Sequence, residues 1–129
     1  MVEYPDLGIY YLNKGEFEKA AAFFKLALEN PDENNIPAAN IHTQLALAYL
    51  GVRGDKNYMI TPHAIAQALP TAKQVPEAID ELNKALELDP SFYSAHNILA
   101  QIYIWKGDKE MAYDHYQKMI TLRRQAGKL

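Results

Sequence analysis

A pattern of one large, one small and one aromatic residue occurs three times in this chain, and it constrains the fold more than any other feature. A second pattern, a small residue with a large one four positions later, follows each copy. The first pattern is Leu7-Gly8-x2-Tyr11, Leu45-Ala46-x2-Tyr49 and Leu99-Ala100-x2-Tyr103, and the second is Ala20-x3-Phe24, Ala78-x3-Leu82 and Ala112-x3-Tyr116. Residues four positions apart lie on one face of a helix. The repetition therefore predicts three helix pairs, each of which buries its apolar face by stacking on the next.

Hydrophobic periodicity and the positions of Gly and Pro predict six helices for these pairs. They span about residues 5–14, 16–29, 37–51, 76–88, 92–105 and 108–124. Ser91 is expected to cap the helix over 92–105. Thr61-Pro62 is expected to begin a short additional helix over 62–69, because Thr is a common cap and Pro suits the first turn.

The residues of both patterns, with neighbours at matching offsets, resemble the tetratricopeptide repeat family. Copy one supplies Tyr4, Leu7, Gly8, Tyr11, Gly15, Phe17, Ala20, Phe24, Ala27 and Pro31; copy two supplies His42, Leu45, Ala46, Tyr49, Ala78, Leu82, Ala85 and Pro90; copy three supplies His96, Leu99, Ala100, Tyr103, Gly107, Ala112 and Tyr116. The resemblance covers nearly the whole chain. It implies an all-α fold, an α-α superhelix of three helix-turn-helix repeats in a single domain over 1–129. We expect repeat one at about 1–34, repeat two at about 37–90 and repeat three at about 91–126.

Repeat two departs from the common spacing. The two patterns of a copy start 13 residues apart in repeats one and three, but 33 residues apart in repeat two. About 20 residues, near 54–73, are therefore inserted between its helices. Within this insertion, Tyr58, Met59 and Ile60 form an apolar tip, and Ile65 and Leu69 share one face of the short helix. One hypothesis is that the insertion folds over or beside the binding groove; the alternative is a decoration packed on the outside of the array.

In the tetratricopeptide repeat family, the first helix of each pair lines a concave groove, and the resemblance places a mixed apolar and amide set there. The set is Ile9, Leu12, Asn13, Gln44, Leu47, Leu50, Asn97, Gln101, Ile104 and Trp105. No groove position holds the Lys or Arg with which some family members grip a C-terminal carboxylate. We therefore expect the groove to bind an amphipathic helix or an apolar peptide, with Trp105 as the main anchor. The alternative is that its Leu and Ile residues serve helix packing alone.

Composition excludes several classes of function. The chain of 129 residues has 13 basic and 16 acidic residues and a net charge of −3, which gives no sign of a nucleic-acid groove. It has no cysteine, which rules out disulfides, thiol catalysis and cysteine-ligated zinc. No apolar run approaches the length of a membrane span, and the start does not resemble a secretory signal, so a cytoplasmic location is expected.

The polar residues do not form a recognisable catalytic or metal-binding motif. The four histidines, His42, His63, His96 and His115, lack i, i+4 spacing with a third ligand. Structural or surface roles are expected for them, and a solvated position for carboxylates such as Glu81. Neither a Ser/His/Asp order nor a Gly-rich phosphate loop is visible. The chain is therefore predicted to be a non-enzymatic adaptor without cofactor or metal.

The last predicted helix suggests a different function. Met111, Tyr113, Ile120 and Leu122 leave apolar surface beside Arg123-Arg124, and no separate capping helix is predicted after them. Helix arrays usually end on a polar cap. Self-association through this helix is thus a second hypothesis, and an accessory domain of a larger protein is a third.

Overall fold

A computed structural model describes residues 3–53 and 60–127, and every regular element in these ranges is helical. The α-helices are α1 (Tyr4–Asn13), α2 (Phe17–Glu29), α3 (Ala38–Leu50), α4 (Pro62–Ala68), α5 (Val75–Leu88), α6 (Tyr93–Lys106) and α7 (Lys109–Gly127). Single 3₁₀ turns follow α2 at Pro31–Glu33 and α4 at Leu69–Thr71. The predicted all-α fold is confirmed, and α4 is the short helix predicted within the insertion.

The helices pack as three pairs that stack in order. The pairs are α1 with α2, α3 with α5, and α6 with α7. Between pairs, α2 packs on α3 and α5 packs on α6. The insertion therefore separates α3 from α5 along the chain without separating them in space, as the repeat spacing predicted.

Local residues account for most helix ends. Gly51 and Gly107 end α3 and α6 with φ angles of 73° and 83°, a left-handed conformation that glycine adopts without a steric cost. Thr61 Oγ1 accepts a hydrogen bond of 3.1 Å from the backbone N–H of Ala64, so Thr61 caps α4 as predicted. The prediction that Ser91 caps α6 is wrong. Phe92 occupies the cap position, and the Ser91 N–H and hydroxyl both donate to Asp89 Oδ1 instead.

Small residues lie where the two helices of a pair cross. Gly8 on α1 is so close to the fully buried ring of Phe24 on α2 that a Cβ at position 8 would overlap the ring. Ala46, Ala78 and Ala100 are completely buried at the corresponding crossings of the later repeats. These positions let the helix axes approach closely, which gives the core its packing density.

One pair of positions joins the two helices of every repeat. The pairs are Tyr4 with Phe23, His42 with Glu81, and His96 with His115. The partners are 19 residues apart in repeats one and three, and 39 apart in repeat two. The difference equals the length of the insertion, so the three-dimensional pairing reproduces the register read from the sequence.

Within residues 3–53 and 60–127, no helix has both the length and the apolarity that crossing a bilayer requires.

Candidate protein-interaction surface

The aliphatic groove positions of the first two repeats are buried. Leu12, Leu47 and Leu50 are each at most 2% exposed and belong to the main apolar cluster. Ile9 is half-buried against the same cluster. These side chains stabilise the stack, in agreement with the alternative that the groove leucines and isoleucines serve helix packing. A ligand could reach the three leucines only if the core opened.

The amide side chains of the predicted groove are half-buried, and several are held by neighbours. Gln44 Nε2 donates to Asn40 Oδ1 at 3.4 Å along α3. Gln101 Nε2 donates to the hydroxyl of Tyr116 on α7 at 2.6 Å. Asn13 also has an interaction partner, and Asn97 is half-buried on α6. The amides thus lie at the boundary between core and solvent.

The insertion is part of the core. Ile65 and Leu69 are completely or almost completely buried, and α4 packs directly against α6. Ile60 is half-buried against the same apolar cluster, which also contains Leu47. Tyr58 and Met59 lie outside the described residues. A decoration on the outside of the array would not bury these side chains, so the described part of the insertion, from Ile60 onwards, is packed into the array against repeat three.

The largest exposed apolar side chains of the predicted groove lie at the end of α6. Ile104 is 51% exposed and the adjacent Trp105 is 47% exposed. The equivalents of Ile104 in the earlier repeats, Leu12 and Leu50, are buried. Trp105 follows Gln101 and Asn97 at intervals of four residues, so these three side chains lie along one face of the helix.

The buried histidines, His96 and His115, form a hydrogen bond with each other, and His96 also forms one with the backbone. His96 Nε2 donates to the carbonyl oxygen of Pro90 at 3.1 Å, and its Nδ1 lies 2.9 Å from Nδ1 of His115. Since the carbonyl can only accept, Nε2 of His96 carries a proton, and the two Nδ1 atoms share one proton between them. Burial, followed by the nearby His96 and Lys118, lowers the pKa of His115. In residues 3–53 and 60–127 no cluster of three metal-ligating side chains occurs.

The expectation that Glu81 is a solvated helix-start charge is wrong. Its carboxylate is half-buried, and its Oε2 lies 2.6 Å from His42 Nδ1 on α3. Sequence reasoning missed this contact and the paired histidines. The sequence did contain a signal for these pairs. The fourth position of a repeat normally holds a bulky packing residue, so a histidine at that position is expected to be buried and to need a polar partner on the other helix of the pair.

The apolar residues of the last helix differ in exposure. Tyr113 is 66% exposed, and Met111 and Ile120 are each 38% exposed. Leu122 is half-buried. The sequence prediction of apolar surface on this helix thus holds for Met111, Tyr113 and Ile120 within the described part of the chain.

Comparison with known families matches two of the three repeats. The tetratricopeptide repeat model matches residues 6–34 and 93–125, which correspond to α1–α2 and α6–α7. The interrupted second repeat lies between the two matches, and its α3–α5 pair is recognised from packing.

Among curated proteins, the chain is similar to the antiviral innate immune response effector IFIT1 of Homo sapiens and of Macaca fascicularis. Each alignment shows 27% identity over 121 residues and covers 88% of this chain. It covers 23% of either relative, so the chain spans about a quarter of their length.

Proposed function

Because this chain belongs to the tetratricopeptide repeat family, we propose that it is a non-enzymatic protein-interaction module that binds its partner at the open end of α6. The observation that carries this proposal is the exposure of Ile104 and Trp105, two adjacent residues of the predicted groove, whereas its leucines, Leu12, Leu47 and Leu50, are buried. Repeats of this family generally serve protein interactions, and the particular binding surface is our inference.

Burial of the repeat-two positions limits where a partner can bind. Leu47 and Leu50 of α3 are buried in the main apolar cluster, so in repeat two they offer no surface to a peptide. Repeat three keeps a face with amides at Asn97 and Gln101 and an indole at Trp105. A partner helix or extended peptide can rest an apolar side chain on the indole and bond its polar groups to amides.

The available area is sufficient for an anchor. A Trp side chain that is about half exposed offers on the order of 100 Å² of further burial, which is worth about 2.5 kcal/mol. A single contact of that size qualifies as a hot spot, because hot spots exceed about 2 kcal/mol. Trp105 should therefore account for a large part of the affinity.

A pair of variants on α6 tests the proposal. Trp105→Ala should weaken binding of a partner isolated with the wild-type protein by about tenfold or more, measured as Kd by isothermal titration. Tyr93→Ala, which removes an equally exposed aromatic residue from the other end of α6, should leave the Kd unchanged. Both variants should melt close to the wild type.

Equal affinities for the two variants would refute the role of Trp105. A large drop in melting temperature for Trp105→Ala alone would instead make Trp105 a packing residue.

Self-association through α7 is the second candidate function, favoured by the exposed Tyr113 and Ile120. Light scattering decides it, because a strictly monomeric species at high concentration contradicts self-association.

A further inference from the structure

Two positions on the second helix of each repeat are apolar throughout the array. They lie seven residues apart and are Ala21 and Leu28 on α2, Ile79 and Leu86 on α5, and Tyr113 and Ile120 on α7. On α2 and α5 these side chains are half-buried against the core. On α7 they are 66% and 38% exposed. The last repeat thus exposes the positions that the first two cover.

The covering element in the first two repeats is the first helix of the next repeat. It is α3 for α2, and α6 for α5. Both covering helices carry buried aliphatic residues seven positions apart, Ile41 with Ala48 on α3 and Ala95 with Ile102 on α6. Among the described residues, no helix covers the corresponding face of α7. The structure thereby defines what fits there: a helix with small or branched aliphatic residues seven positions apart.

The first helix of a second copy of this chain does not have that pattern. The matching positions of repeat one hold Glu3, which is the N-cap of α1, and Tyr10, which is 50% exposed. Head-to-tail stacking would therefore place a carboxylate and a bulky phenol against α7 where the covered repeats have aliphatic side chains.

The charges around Tyr113 and Ile120 give the partner's chemistry. Residues three or four positions away on a helix are surface neighbours. The charged neighbours of the two side chains by this spacing are Lys109, Glu110, Arg123 and Arg124, three basic and one acidic. Two copies packed through α7 would bring these basic groups together, which opposes association. A helix with acidic flanks would instead complement them.

We propose that the face of α7 formed by Tyr113, Ile120, Lys109, Arg123 and Arg124 binds an amphipathic helix of another protein. That helix has aliphatic residues seven positions apart and acidic residues beside them. It occupies the place that the first helix of a fourth repeat would take. The site is separate from the α6 surface, so the two can bind different parts of one partner or two partners.

A designed peptide tests this site on the full chain. The probe is a fluorescent helical peptide of about five turns with Ile seven positions apart and Glu beside each Ile; the matched peptide has Lys in place of Glu. Fluorescence anisotropy should show saturable binding of the Glu peptide and at least tenfold weaker binding of the Lys peptide. Ile120→Ser should weaken binding of the Glu peptide about tenfold, as expected for loss of a central apolar contact.

Control variants distinguish the α7 face from the α6 surface and from non-specific apolar binding. Leu88→Ser removes an exposed leucine from α5 and should leave probe binding unchanged. Probe binding that falls with Trp105→Ala but not with Ile120→Ser would place the probe on the α6 surface and overturn the proposal. An Arg123→Glu/Arg124→Glu variant should prefer the Lys peptide. Equal binding of both peptides by the wild type, no saturable binding, or unchanged binding by Ile120→Ser overturns the proposal. The proposal is also overturned if light scattering shows that the wild type is a dimer and that Ile120→Ser dissociates it, because a second copy would then occupy the α7 face.

Discussion

Gly8 lies where α1 crosses α2, and its replacement by alanine tests how closely the helices of a repeat approach. A Cβ at this position would lie 2.6 Å from Cδ1 and 2.8 Å from Cζ of Phe24, and closer still to Cε1. Phe24 is completely buried, so its ring cannot swing into solvent. Either the ring or the helix axis has to move.

Two opposing effects set the magnitude. Alanine is a better helix former than glycine by about 1 kcal/mol, which favours the variant. Overpacking a core lowers the unfolding free energy by about 1–3 kcal/mol. The cost for Gly8→Ala should lie near the upper end of this range, because the contacts are short and the Phe24 ring is fully buried. The net expectation is a loss of about 2 kcal/mol of unfolding free energy, or roughly 6–10 °C in Tm for a domain of this size.

Chemical denaturation followed by circular dichroism measures this loss, and Gly127→Ala is the control. Gly127 is also helical, but a Cβ there meets nothing within 4 Å, so that variant should be neutral or slightly stabilised. In the Gly8→Ala background, Phe24→Leu should cost less than it does alone, because the smaller side chain relieves the overlap. A Gly8→Ala protein that is more stable than the wild type would refute the close crossing.

Three further predictions concern the insertion and the polar pairs. Leu69→Ala should cost about 2–5 kcal/mol in urea unfolding because the side chain is buried, and a cost under about 1 kcal/mol would make the insertion a surface decoration. Glu81→Ala should lower the unfolding free energy by about 1–3 kcal/mol, because it removes the half-buried contact with His42. Lys84→Ala, which removes only an exposed ion pair, should lower it by less than about 0.5 kcal/mol. Equal losses for the two variants would show that the histidine contact adds no stability. The pKa of His115 is lower in the folded protein than in the unfolded chain, so the unfolded chain binds this proton more tightly than the folded protein does. His115 should therefore lower the unfolding free energy as the pH falls below about 6.5, the ordinary pKa of histidine, and this loss should end at the lowered pKa. Thermal melts from pH 8 downwards should show a smaller decline for His115→Gln, and identical pH profiles would contradict a role for His115 in this decline.

The helix pairs and their register could be read from the sequence because they depend on local spacing. The small residue at each crossing and the aromatic residue three positions later recur with a fixed period. Thr61 caps α4 through a hydrogen bond within three residues of the chain, so it was also predictable. Ser91 was misassigned because α6 begins at Tyr93, one residue later than predicted, which makes Phe92 the cap. Ser91 instead donates to Asp89 Oδ1, and a residue preference does not fix a helix start to within one residue.

The candidate surface was predictable only in part. The resemblance predicted which residues share the groove side of each first helix, and Trp105, one of them, is exposed. It did not indicate that Leu47 and Leu50 are buried, because burial depends on the packing of the whole stack and not on the pattern within one repeat. The pairing of His42 with Glu81 likewise joins residues 39 apart across the insertion.

The sequence by itself determined that this chain is a stack of three helix pairs and that 20 residues interrupt the second pair. Periodicity within a helix and between repeats carries that information along the chain. The tertiary structure alone decided which apolar residues remain accessible. Leu12, Leu50 and Ile104 occupy equivalent positions, yet the first two are buried and the third is exposed. Exposure depends on what packs over a residue, and that neighbour can be distant in sequence.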